Sequence, residues 1–256
     1  MDGNVIVWQI IAAYLFALTG GAVSAAFRLS HQVLCGLISF AAGTLFGVTL
    51  FTIGPETLHF GTWWMVGLAA ASGYLLFFLI SRYVHHVCPA CAASHFDADA
   101  TRHFSDIAFA LIAALAIHST SDGIAIGVGH DIHASYAGIW SLFAALCIHK
   151  VPEGLALGSL LIGAGFKRAT AFAWVALTEA TTLAGGAIGY FLLDDTSMFW
   201  LTLLMAHVGG GFVYLATHAV IGELLRHGKQ LVITSFLMGI ALIAFVNLWL
   251  KMLALR

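Results

Sequence analysis

From Asp106 to Gly129 the chain reads DIAFALIAALAIHSTSDGIAIGVG, an apolar run interrupted near its centre by His118 and, four residues on, by Asp122. A helix needs about 20 apolar residues to cross a hydrocarbon core, so this stretch has the length of a membrane span with two polar side chains at mid-depth. At about 100° and 1.5 Å per residue, positions i and i+4 lie on one helix face, one turn apart. A carboxylate left unpaired at that depth costs roughly 2.5–3.5 kcal/mol on insertion scales. The chain repeats the arrangement in its next apolar run, where HKVPEGLALG begins at His149 and sets Glu153 one turn along.

The rest of the chain agrees with a membrane reading. Its 256 residues are 61% hydrophobic and 9% charged, with mean hydropathy +0.98, whereas soluble domains carry about 25% charged residues. Eight runs reach spanning length: residues 5–27, 33–53, 62–83, 106–129, 136–165, 169–192, 198–222 and 231–253. The expected fold class is therefore all-α and integral to the membrane, one transmembrane domain over residues 1–256. The near-neutral net charge of −2 argues against nucleic acid as a partner.

Basic residues give the orientation. Arg28, Arg82, Arg102, Lys167, Arg168, Arg226 and Lys229 fall in the odd-numbered connections, and the even ones hold Glu56, Asp131, Asp194 and Asp195. Both termini are expected outside the cytoplasm, Lys251 and Arg256 being minor exceptions. The first run has no basic residue before it and is long enough to span, so it reads as a helix rather than a cleaved signal. A bacterial-type plasma (inner) membrane is the expected location. The aromatic residues Trp8, Trp63, Trp64, Tyr136, Trp140, Phe199 and Trp200 fall near the outer span ends, as interfacial anchors do.

A short hairpin, His130 to Ser135, makes spans four and five antiparallel neighbours. His118, Asp122, His149 and Glu153 can then converge on one point. Two imidazole nitrogens with carboxylate oxygens suit a borderline divalent cation such as Zn²⁺ or Fe²⁺, and the cation offsets the burial of the carboxylates. Pro152 leaves the carbonyl of Ile148 without its helical donor, and irregular backbone at this depth is tolerated inside protein or beside a water-filled cavity. Gly123 with Gly127, and Gly154 with Gly158, allow close helix approach. A single intramembrane histidine is often a packing residue, and a buried Lys–Glu pair can be structural. Two copies of the same spacing on adjacent helices weigh toward ligation.

These motifs resemble those of the ZIP (Zrt/Irt-like) family of divalent-metal transporters: HSTSDGIAIG its fourth-span motif, HKVPEGLALG its fifth. GTLFGVTLFTIGPE in span two and GGGFVYLATHAVIGE in span seven resemble its glycine-rich helices that end near an acidic residue. The resemblance implies that His118, Asp122, His149 and Glu153 hold the transported metal. It assigns Ser119, Lys150 and Glu179 to the positions of a second metal. Ser119 departs from a usual asparagine and Lys150 from a ligand. A lysine ammonium cannot coordinate while protonated and repels a second cation, so one metal is expected, with Lys150 paired to Glu179 or Asp122. The resemblance also implies an inverted repeat, spans one to three against six to eight with four and five between, and inward transport by alternating access. Zn²⁺ is the leading substrate, with Fe²⁺, Mn²⁺ and Cd²⁺ as alternatives.

The connection spanning residues 84–105 holds His85, His86, Cys88, Cys91, His95, Asp97, Asp99 and His103. Its CxxC with flanking histidines has zinc-type spacing and resembles the family's histidine-rich cytoplasmic loop; a loop with incidental histidines is the plainer reading. His207, His218 and Glu223 in span seven are candidates for lining the metal's route, with packing roles equally open. His130, Asp131 and His133 of the outer hairpin, with Glu56 and His59 on another outer loop, could collect metal at the entrance, but ordinary solvated loop residues are the favoured reading. A rival function, an intramembrane zinc-dependent hydrolase, would carry HExxH and an open coordination position; the chain has no such motif. A proton-coupled carrier of an organic solute would not need duplicated ligand spacing. Binding requires neutral imidazoles, so uptake is expected to weaken below the reference pKa of ~6.5. The sequence leaves open whether the chain works alone or as a homodimer.

Overall fold

A computed structural model describes residues 3–27, 30–83, 104–132, 136–163, 165–193, 196–224 and 229–254. Among these residues the structure is helical and contains no strand. Helix α1 is Gly3–Ala26. Helix α2, His31–Val48, continues through a π-helical turn, Thr49–Ile53, into a further helical stretch, Gly54–Phe60. Then come α3 (Trp63–Tyr83), α4 (Phe104–Ile132), α5 (Tyr136–Gly163), α6 (Arg168–Ala187, extended by a π-helical turn Ile188–Leu192), α7 (Met198–Leu224) and α8 (Lys229–Ala254). Seven of these units are long and apolar enough to cross a membrane. Helix α4, at 29 residues, has the length as well.

Local chemistry sets several helix ends. Ser30 caps α2, its Oγ accepting from the Val33 N–H at 3.4 Å. Gly165 adopts φ 88°, a conformation that favours glycine. There the N–H groups of Gly165 and Phe166 turn back onto the carbonyls of Ile162 and Leu161 and close α5. The second span runs past its expected end at Ile53 to Phe60. Pro55, within the first turn of Gly54–Phe60, has no N–H for the carbonyl of Phe51. Asn247 of α8 donates to that oxygen instead, at 3.2 Å.

Glycines decide which helices lie side by side. A Cβ on Gly20 or Gly154 would run into the carbonyl of Val151 or Ala17, so α1 and α5 meet backbone to backbone. Helices α4 and α6 meet in the same way, Gly123 against the Thr182 carbonyl and Gly185 against that of Thr120. So do α2 and α8, through Gly43 with Phe236 and Gly239 with Phe40, and α3 and α7, through Gly73 with His207 and Gly210 with Ala70. Each of these pairs is parallel: one turn beyond the crossings Gly158 meets Ser24, Gly127 meets Gly189 and Gly47 meets Ile243, and along α3 and α7 Ser72 meets His207 while Phe78, further on, meets Tyr214.

Helix α1 also packs along α6, and α2 along α7. Two groups result: α1, α4, α5 and α6 in one, α2, α3, α7 and α8 in the other, joined chiefly where α2 and α8 touch α5 and where α4 touches α7. The motif helices α4 and α5 touch each other along a short stretch and run mainly along α6 and α1. The start of α1 and the end of α8 lie on one face of the molecule, called here the chain-end face. Trp8, Trp63 and Trp200 near that face are exposed, as aromatic residues at a membrane–water interface are.

Candidate metal centre

Midway along α4 and α5, four side chains of metal-binding type come together. One ligand atom from each of His118, Asp122, His149 and Glu153 can be chosen so that all lie within 4.8 Å of one another, and all four residues are buried. His118 Nε2 is 3.5 Å from Asp122 Oδ2 and 3.6 Å from Glu153 Oε1. His149 Nε2 is 3.2 Å from Asp122 Oδ2 and 3.5 Å from Glu153 Oε2. A tetrahedral zinc with bonds of about 2.0–2.1 Å has edges of about 3.3–3.5 Å, so these separations fit a small divalent cation.

Contacts around the imidazoles orient them. His149 Nδ1 lies 3.3 Å from the Ala145 carbonyl, which can only accept. Nε2 lies 3.2 Å from Asp122 Oδ2; with the proton held on Nδ1 by that carbonyl, Nε2 would be free to bind a cation lying between the carboxylates. The His118 ring is walled by Phe77 of α3 and Phe212 of α7, ring centres 6.2 and 6.1 Å away. Asp122 Oδ1 and Glu179 Oε1 are buried with no hydrogen-bond partner among the described residues.

Lys150 enters the same cluster. Its side chain is fully buried, and Nζ lies 2.8 Å from Asp122 Oδ2, 2.8 Å from Glu153 Oε2 and 2.9 Å from Glu179 Oε2. It also donates to Ser119 Oγ at 2.8 Å. The Ser119 hydroxyl has one proton to give and two carboxylates in range, Glu153 Oε1 at 3.3 Å and Glu179 Oε2 at 3.2 Å. The three residues read from the sequence as second-metal positions thus adjoin the first four. The expected pairing of Lys150 with Glu179 or Asp122 is present with both, and Glu153 joins them.

A cleft of about 70 Å³ opens beside His118, His149 and Glu153. Its other walls are Ile38, Ala41, Ala42 and Leu45 of α2, Pro152 and Ala156 of α5, and Leu215 and Ala219 of α7. These positions lie on the side of the cluster away from the chain-end face.

The family model described as ZIP zinc transporter matches residues 91–247. The chain belongs to the ZIP family. The match takes in both histidine motifs and Glu179. Comparison with curated proteins gave no match. ZIP proteins are multi-pass membrane transporters of divalent metal cations, and the buried His/Asp/Glu cluster of this chain suits that cargo.

Other candidate residues of this ZIP chain lie elsewhere. His207 and His218 fall on the stripe of α7 that faces α3: His207 Nδ1 is 2.8 Å from Ser72 Oγ, and His218 stacks on Tyr214, which also meets Tyr74 and Phe78 of α3. Neither borders the cleft beside the cluster. The loop residues His85, His86, Cys88, Cys91, His95, Asp97, Asp99 and His103 lie outside the described residues. So do the side chains of Glu223, His130, Asp131 and His133. Sequence reasoning missed Phe77 and Phe212 as walls, and a hydrogen-bonded group formed by Thr52, Ser141 and Asn247. Asn247 is an isolated amide in the apolar run of α8, and that isolation was the available signal.

Proposed function

We propose that this ZIP protein carries one divalent transition-metal cation at a time, Zn²⁺ foremost, with His118, Asp122, His149 and Glu153 as its ligands. The supporting observation is a charge count. One ammonium, Lys150, sits among three carboxylates, Asp122, Glu153 and Glu179. With all four ionised and both histidines neutral, two negative charges remain, the charge of a single divalent cation. A second divalent cation would leave the buried cluster positive by two, at a heavy desolvation cost. Lys150 takes the part of a second metal, and Ser119 and Glu179 serve the ammonium. Fe²⁺, Mn²⁺ and Cd²⁺ carry the same charge and are the alternatives to Zn²⁺. All these side chains come from one chain, so a homodimer, if one forms, is not needed to complete the site.

Alternating access has its own support in the glycine crossings. Ala17 and Gly20 of α1 correspond to Thr182 and Gly185 of α6, Phe40 and Gly43 of α2 to His207 and Gly210 of α7, and Ala70 and Gly73 of α3 to Phe236 and Gly239 of α8. Exchanging Thr120 and Gly123 with Val151 and Gly154 completes the set and carries His118 onto His149. Matched helices run oppositely through the membrane, as an inverted repeat requires. Every proposed ligand belongs to the group α1, α4, α5 and α6, which can move against the other four helices. The basic connections put the chain-end face outside the cytoplasm, and the cleft then faces inward, in the direction of uptake across a plasma membrane.

The test is Zn²⁺ flux into proteoliposomes holding the purified chain, beside a His118→Ala/His149→Ala variant. Flux that the double substitution abolishes is the expected result. Zinc bound at one equivalent with no flux in either protein would instead favour a sensor or an intramembrane hydrolase.

A further inference from the structure

The seam between α2 and α5 is open at one end and bonded at the other. Ile38, Ala41, Ala42 and Leu45 line the cleft on α2, and His149, Pro152 and Ala156 line it on α5. Followed toward the chain-end face at helical spacing, the α2 stripe reaches Thr52 and the α5 stripe passes Ala145 to Ser141. There Thr52 Oγ1 lies 3.1 Å from Ser141 Oγ. Asn247 of α8 joins them: its Nδ2 is 3.1 Å from Thr52 Oγ1 and 3.5 Å from Ser141 Oγ. All three residues are buried.

Their chemistry distinguishes them from another cation station. Nδ2 of Asn247 also donates to the Phe51 carbonyl at 3.2 Å, an oxygen deprived of its helical donor by Pro55. A carbonyl only accepts, so the amide cannot be turned to present its own oxygen there. Thr52 accepts from Asn247 and donates to Ser141. The set is neutral, and donors meet acceptors. Its bonds tie α2 and α8 to α5, the helix that brings His149, Lys150 and Glu153.

We propose that Thr52, Ser141 and Asn247 form a latch that holds the α2–α5 seam closed on the chain-end face, and that it parts whenever the cluster is reached from that face. The proposal rests on the alternating-access reading. In this arrangement the cleft is on one side of the cluster and the latch on the other, so opening the second side means giving up these bonds. Side-chain hydrogen bonds between membrane helices are individually weak, which suits a contact that must break in every cycle.

The test uses the full chain with its four cysteines, Cys35, Cys88, Cys91 and Cys147, replaced by alanine and Ala145→Cys introduced between latch and cluster. A membrane-impermeant maleimide is added to the chain-end face of oriented vesicles. Thr52→Val keeps the shape and loses the hydroxyl; Thr52→Ser keeps the hydroxyl and loses a methyl. Thr52→Val should be labelled about threefold to tenfold faster than Thr52→Ser, the scale of one interhelical hydrogen bond, and Asn247→Leu should be labelled at least as fast as Thr52→Val. Thr52→Ser labelled as fast as Thr52→Val, or no change in either, would overturn the latch and leave packing as what closes the seam. Zn²⁺ flux in the same vesicles reports separately on the transport reading, since labelling does not depend on it.

Discussion

Lys150 is the side chain on which the stoichiometry of the site turns. With Nζ within 2.9 Å of Asp122, Glu153 and Glu179, it neutralises charge that metal would otherwise have to neutralise. Removing one partner of a buried ion pair costs about 3–5 kcal/mol. Lys150→Met should therefore unfold at lower temperature without metal, and zinc should raise its midpoint more than it raises that of the parent chain. Bound zinc should rise from one equivalent toward two, read by elemental analysis after gel filtration. A variant that keeps one equivalent and the parent's unfolding midpoint would show that the ammonium is a bystander. The ligand set itself could be read from spacing, because His-xxx-carboxylate needs only helical periodicity to be understood. The threefold sharing of Lys150 could not be, since it depends on how α6 is turned to bring Glu179 inward.

At the scale of helices, periodicity is informative where one face differs from another, and here it rarely does. Span count and near-boundaries follow from apolar length, yet α7 is apolar nearly all round, so nothing in its pattern separates the face against α3 from the face toward the cleft. That is why His207 and His218, read as candidates for the metal's route, turn out to meet Ser72 and Tyr214. Glycine is the better guide to contact. On α3, a Cβ at Gly73 would strike the His207 carbonyl, while one at Gly67 would meet nothing within 4 Å. Overpacking costs about 1–3 kcal/mol, so Gly73→Ala should lower the thermal midpoint and Gly67→Ala should leave it unchanged or slightly raised. Equal midpoints for the two variants would mean that α3 and α7 do not approach so closely in the bilayer.

For the whole molecule the question is which contacts persist while metal crosses. The site is built on α4, α5 and α6, so the group containing them can carry it as a unit, and contacts within that group need never break. Contacts between the groups must. A cross-link separates the two cases. Within the group, a Cβ on Gly21 of α1 would lie 3.3 Å from Val175 Cβ of α6, close to the spacing a disulfide requires. Between the groups, the Thr52 and Ser141 hydroxyls are 3.1 Å apart. In a chain freed of its own cysteines, oxidising a Gly21→Cys/Val175→Cys pair should leave Zn²⁺ flux close to that of the reduced protein. Oxidising a Thr52→Cys/Ser141→Cys pair should stop it, and reduction should restore it. If both cross-links stop flux, movement must run through the α1–α6 contact as well, and the site would not travel as one body. If neither does, the α2–α5 seam stays shut throughout the cycle, and metal would have to reach His118 and His149 by a path that does not part these helices.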